Sequence, residues 1–267
     1  MSENDFYIGY LPKSPDGQGR FTRRVVVFLT LLVIVIVLMT TFGQHKLPAA
    51  SFEFDHIQKF RGTIDASPYP TLVVARPRTA ATSDDSSRYL LVAPGKHGAD
   101  DLVRGFDGKG VALDAKLIYR DGQTMLEVMP GSITASAAPA TTASPDVDLG
   151  NVSLVGEIVD SKCYSGVMNP GSGKVHRDCA TRCISGGIPP LFLAKNADGN
   201  AEIYELADSD GRAMGKEVLA MVAEPVTIEG RLVRRGSSLL LYADANHIAP
   251  VPAATVRSWS CPRPRSK

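Results

Sequence analysis

Between Cys163 and Cys183 the chain carries three of its four cysteines and one of its five histidines within twenty-one residues. No other stretch concentrates groups that bind metals or exchange electrons. His176, Cys179 and Cys183 stand at i, i+3 and i+7, so a helix over 174–185 projects all three from one face. Pro170-Gly171-Ser172-Gly173 reads as a turn with Ser172 as helix cap, and Gly186-Gly187 followed by Pro189-Pro190 reads as a stop. Cys163 precedes this helix in a loop that brings it to the other three side chains.

Two chemistries suit these residues. One is a Cys3His metal site, Cys163, His176, Cys179 and Cys183, in which thiolates and a neutral imidazole hold zinc, copper or iron, or in which the thiols cycle as a dithiol. The other is a disulfide from Cys163 to Cys179 or Cys183 that staples loop to helix and leaves His176 a bystander. Asp160 and Asp178 are candidate partners for the second ring nitrogen of His176. Met168 is a candidate thioether donor that reads more simply as packing, Tyr164 a candidate shield, and His97 and His247 read as surface residues.

The apolar run Val25–Phe42, eighteen residues without a charge, is long enough to cross a bilayer. Lys13, Arg20, Arg23 and Arg24 precede it, and only His45 and Lys46 follow closely. The positive-inside rule then places residues 1–24 in the cytoplasm as an unstructured leader, 25–42 across an inner membrane as a single pass, and the rest in the periplasm. Pro48-Ala49-Ala50 offers a peptidase site, but the run exceeds the roughly 7–15 residues of a signal-peptide core, which favours an uncleaved anchor. An oxidising compartment favours pairing of thiols. Cys261, in the Pro- and Arg-rich tail, can pair with the cluster, bridge to another chain or stay free.

The exported part reads as a duplication after a stalk at 43–51. Residues 52–133 and 151–250 each carry five short strands in the same order, flanking an Ala/Ser/Thr/Pro linker at 134–150 and followed by a basic tail at 251–267. Phe60–Asp65 corresponds to Val155–Asp160, Pro70–Ala75 to Pro190–Ala194, Tyr89–Val92 to Ile203–Leu206, and hairpins at 115–128 and 230–242 match each other. A short helix is expected before each hairpin, at 98–106 and 215–222. This order is that of an OB-type barrel, so the fold class expected is mainly β: one transmembrane helix and two tandem, independently packed OB-like barrels. The second barrel alone inserts a long segment, 161–189, between its first two strands, and that insertion is the cysteine cluster. A loop of that length in a compact domain is a functional candidate.

The segment from Gly156 to Leu193 resembles a family of small exported bacterial proteins that share G-x-I-x-D-x2-C, a Gly-rich loop, H-x2-C-A-x2-C and G-I-P. Those positions here are Gly156, Ile158, Asp160, Cys163, His176, Cys179, Ala180, Cys183, Gly187, Ile188 and Pro189. The resemblance implies an exported OB-like domain with a metal or redox Cys/His site and assigns no reaction.

The function classes narrow accordingly. There is no haem-attachment C-x2-C-H, nucleophile elbow, phosphate loop or H-E-x-x-H. A net charge of +1 and a lone basic hairpin at Arg231, Arg234 and Arg235 give no footprint for nucleic acid. The expectation is a membrane-anchored accessory protein rather than an enzyme, serving metal handling or an envelope redox enzyme or complex. The alternative is a scaffold module of an envelope complex whose cysteines are staples.

Overall fold

The computed structural model describes residues 15–44, 50–76, 86–120, 123–136, 145–195 and 201–251. The chain divides into two compact units, Met1–Pro48 and Ala49–Lys267. In the first unit, α1 (Asp16–Gln44) is long and apolar enough to cross a membrane, with a mean hydropathy of 3.0 over an eighteen-residue window. It begins nine residues ahead of the apolar run, so 16–24, expected to be unstructured, is helical. Extending an existing helix adds one hydrogen bond per residue fixed. The arginines at 20, 23 and 24 are good helix formers, and Asp16 complements the helix dipole in the first turn.

The second unit contains β1 (Ala50–Phe52), β2 (Gln58–Asp65), β3 (Thr71–Ala75), β4 (Ser86–Ala93), β5 (His97–Gly98), α2 (Asp100–Val103), β6 (Gly110–Arg120), β7 (Gln123–Val128) and β8 (Thr134–Ala135). Strands β2, β3 and β4 form an antiparallel meander; β6 pairs antiparallel with β2 and β7, and β7 closes the barrel parallel to β4, with Leu90 opposite Met125.

The second barrel repeats this topology with β9 (Val147–Asp160), β10 (Pro190–Lys195), β11 (Ala201–Asp208), β12 (Pro225–Arg235) and β13 (Ser238–Ala243). The parallel closure recurs between β11 and β13, with Leu206 opposite Leu241, and β14 (Ile248–Pro250) adds to β12. Two closed five-stranded barrels of one topology are consistent with two small OB-like domains. The element before each hairpin is shorter than expected: α2 is four residues, and its counterpart is a 3-10 turn at Lys216–Met221. Strands β8 and β9 reach into the segment read as linker, the latter because Val147–Asn151 pairs with β12.

The barrels do not pack independently. Each has its own core, Leu72, Leu91, Leu113 and Leu126 in the first, and Ile158, Phe192, Leu206 and Leu241 in the second. A third cluster joins Tyr69, Leu90, Val92, Ile118 and Met125 to Val159, Cys163, Tyr164, Cys183, Ile188 and Leu191. Strand alternation explains it. On β4, Leu91 points into its own barrel while Leu90 and Val92 point out; on β10, Phe192 points in and Leu191 out. Strands apolar on both faces must be covered on both, and each barrel covers the other.

Tyr69 fastens the same seam. Its hydroxyl donates to the Leu206 carbonyl at 2.5 Å and accepts from the Met214 amide at 2.9 Å. Burial pushes its pKa up, so it stays a donor. Tyr69→Phe is expected to destabilise the unit by about 1–3 kcal/mol, since it orphans buried backbone groups. Chemical denaturation monitored by near-ultraviolet dichroism reads this, and an unchanged midpoint would show that the seam does not depend on that bridge.

Candidate metal and thiol site

The site lies where the insertion of the second barrel meets the first. Strand β9 ends at Asp160, and after Ser161-Lys162 the chain makes a π-helical turn at Cys163–Val167. A 3-10 turn at Lys174–His176 leads into α3 (Arg177–Ser185). Neither start of this helical segment has a side-chain cap, so Ser172 does not act as one; Gly173, at φ 76°, turns the chain in the left-handed region instead. At its end, the Gly186 amide bonds the carbonyls of Arg182 and Cys183.

Asp160 organises the turn. Its carboxylate is fully buried; Oδ1 accepts the Cys163 amide at 2.8 Å and Oδ2 lies 3.0 Å from His176 Nε2. His176 is buried as well. Asp160 is thus the imidazole partner, while Asp178 is exposed. Cys163 Sγ stands 3.9 Å from both Cys179 Sγ and Cys183 Sγ. These three sulfurs form one group with all atoms within 4.8 Å, and Asp160, Cys163 and His176 form a second, so Cys163 belongs to both.

The three cysteines are free thiols. A separation of 3.9 Å is nearly twice the roughly 2.05 Å of a disulfide bond, so the staple from Cys163 to the helix, the alternative to the metal site, is absent. Cys163 is equidistant from the two helix sulfurs. Cys261 lies outside the described residues.

Exposure grades the thiols. Cys163 and Cys183 are buried and Cys179 is partly open. Over the open side lies Lys96, on the β4–β5 turn of the first barrel, with Nζ 2.8 Å from Cys179 Sγ and 3.5 Å from Cys183 Sγ. Its hydrogen bond to Cys179 pushes the Lys96 pKa up to about 12. Cys183 is lowered to about 7, chiefly by the hydrogen bond from Cys163 and further by Lys96. Cys163 is pushed up by the same bond to Cys183, by burial and by Asp160. The two thiols are thus shifted in opposite directions, Cys163 up and Cys183 down.

Lys162 holds the turn that carries Lys96. Its buried ammonium donates to the Ala93 and Gly95 carbonyls, both at 2.8 Å, and pairs with Glu127 at 2.5 Å. The Gly98 amide bonds the Gly186 carbonyl, and neither Gly98 nor Gly186 has room for a Cβ against the facing backbone. Tyr164 is buried against the Arg120 guanidinium, 4.7 Å from its ring. Met168 is half exposed, and His97 and His247 are at the surface.

Sequence reading missed Lys96 and Lys162. The second adjoins Cys163 and could have been weighed as a buried cation; the first is 83 residues from Cys179, and no local pattern places it there. Compared with known proteins, the chain matches no family model, no curated protein and no solved structure.

Proposed function

We propose that this protein is a membrane-anchored, OB-type metal-binding accessory protein whose second barrel holds a soft or borderline transition metal. The donors are the thiolates of Cys163, Cys179 and Cys183; His176, which groups with Asp160 and Cys163 and not with Cys179 or Cys183, is the fourth donor assigned from the sequence. The observation that carries this reading is the spacing of three unpaired sulfurs. Metal–sulfur bonds of about 2.3 Å at tetrahedral angles put sulfurs about 3.8 Å apart, beside 3.9 Å for both pairs from Cys163. Asp160 supports it, because a carboxylate behind an imidazole fixes the tautomer and orientation of a metal-bound histidine. Zinc, copper(I) and ferrous iron all suit such a donor set.

The remaining assignments rest on the sequence. Helix α1 is the anchor, with the basic leader in the cytoplasm and both barrels in the periplasm. The motif resemblance in 156–193 favours the same exported setting. The role assigned is metal handling or support of an envelope redox complex.

Cadmium(II) tests the site directly, since its thiolate complexes absorb in the ultraviolet. Titrating the reduced full-length chain in detergent should produce a charge-transfer band that saturates at one ion per chain. The band should vanish in the triple variant Cys163→Ala, Cys179→Ala, Cys183→Ala. A wild-type chain that gives no band removes the metal assignment.

A further inference from the structure

We infer that Cys179 is a hydroperoxide-reactive thiol and that Cys163 resolves its oxidised form, so that oxidation dismantles the donor set. This deepens the metal reading and rests on the same cluster. Three observations carry it. Cys179 is the partly open thiol of the three, whereas Cys163 and Cys183 are 3% and 1% exposed. Lys96 Nζ, 2.8 Å from Cys179 Sγ, presents a cation to the sulfur that a peroxide reaches first, the setting in which exposed cysteines oxidise selectively. Cys163 Sγ, 3.9 Å away, is the second thiol in position to react.

The chemistry balances in two steps. Cys179 sulfur attacks one oxygen of the hydroperoxide, the O–O bond breaks, and the departing oxygen leaves with the thiol proton as water or an alcohol. Cysteine is oxidised by two electrons to the sulfenic acid and the peroxide is reduced by two. Cys163 sulfur then attacks Cys179 sulfur, forming the S–S bond and expelling the sulfenic hydroxyl, which leaves with the Cys163 proton as water. Two of three thiolate donors are consumed, and Cys183 remains beside Lys96. A cluster reduced to one thiolate and one imidazole no longer holds its metal.

The test treats the reduced, metal-free full-length chain with one equivalent of hydrogen peroxide, then maps alkylated peptides by mass spectrometry. The expected product is a Cys163–Cys179 disulfide with Cys183 alkylated. Cys163→Ser should leave a sulfenic acid on Cys179 that dimedone traps, and Cys183→Ser should still form the disulfide. Cys179→Ser should slow peroxide consumption about tenfold or more, as loss of the accessible thiol requires. A Cys163–Cys183 disulfide as first product, a Lys96–Cys179 crosslink, or unchanged consumption in Cys179→Ser would overturn the assignment. Cadmium titration of the same preparation separates the two readings. Disulfide formation without cadmium binding sinks the metal assignment alone, and cadmium binding without this disulfide sinks the oxidation route alone.

Discussion

Replacing Cys163 by serine is expected to weaken cadmium binding by the full-length chain at least about a hundredfold, read by competition against a chelator of known affinity. Structural metal sites of this donor type bind with about 10–16 kcal/mol at neutral pH, so one donor of four accounts for roughly 3 kcal/mol, and serine is no substitute for a soft thiolate. Cys163 is also the member common to both groups of candidate ligands, so no pair of remaining donors reforms the set around its absence. Serine preserves the backbone amide that Asp160 accepts at 2.8 Å, which keeps the turn in place and separates a lost donor from a lost fold. His176→Gln should cost less, because the three sulfurs remain. Equal losses in the two variants would mean that the cation sits between Asp160, Cys163 and His176, and unchanged affinity in Cys163→Ser would move the site away from the cluster.

The barrels were legible because each strand announces itself locally. Short alternating or doubly apolar runs end at Gly-containing turns, and the same order occurs twice. The closing parallel pairs, β4 with β7 and β11 with β13, follow from that order once a barrel is assumed. The expectation of independent packing fails at the shared cluster: Tyr89-Leu90-Leu91-Val92 and Pro190-Leu191-Phe192-Leu193 are apolar on both faces, and a strand buried on both faces needs a neighbour outside its own barrel.

The clustering of the three cysteines was legible, since Cys179 and Cys183 share one short helix, whereas Asp160 and Asp178 were both candidates for His176 until the buried contact to Asp160 separated them. The spacing rule that put His176 on the sulfur face of a helix holds only loosely. The chain is 3-10 through His176 and α-helical from Arg177, and the different advance per residue in the 3-10 turn lets the imidazole reach Asp160. Of the two chemistries the cysteines suggest, the disulfide is the one the sulfur separations do not show, because compartment chemistry states what thiols tend to do and not whether their sulfurs are within bonding distance.

The first barrel acquires a role from this arrangement. It contributes no thiol, yet it covers the cluster with Lys96 and buries Cys163 and Cys183 with Leu90, Val92, Ile118 and Met125 among its own residues. A barrel of the same topology without an insertion thus becomes the wall of the site that the insertion makes.

That wall depends on Lys162, and Lys162→Met is expected to destabilise the unit Ala49–Lys267 by about 3–5 kcal/mol. The ammonium and the Glu127 carboxylate are 4% and 6% exposed, 2.5 Å apart. Methionine fills similar volume but removes the charge, leaving Glu127 with Lys116 at 3.9 Å and the Ala93 and Gly95 carbonyls without their donor. In urea, where a typical slope is about 1–3 kcal/mol per molar, the midpoint should fall by one molar or more. Because one apolar cluster spans both barrels, both should unfold in a single transition. Lys162→Met combined with Glu127→Leu should recover most of the loss, since removing a whole buried pair costs far less than stranding one charge. A loss below about 1 kcal/mol in the single variant would mean that water reaches Glu127. Separate transitions for the two barrels would mean that the shared cluster does not couple them, and Lys96 would then hang over the thiols on a barrel free to move away.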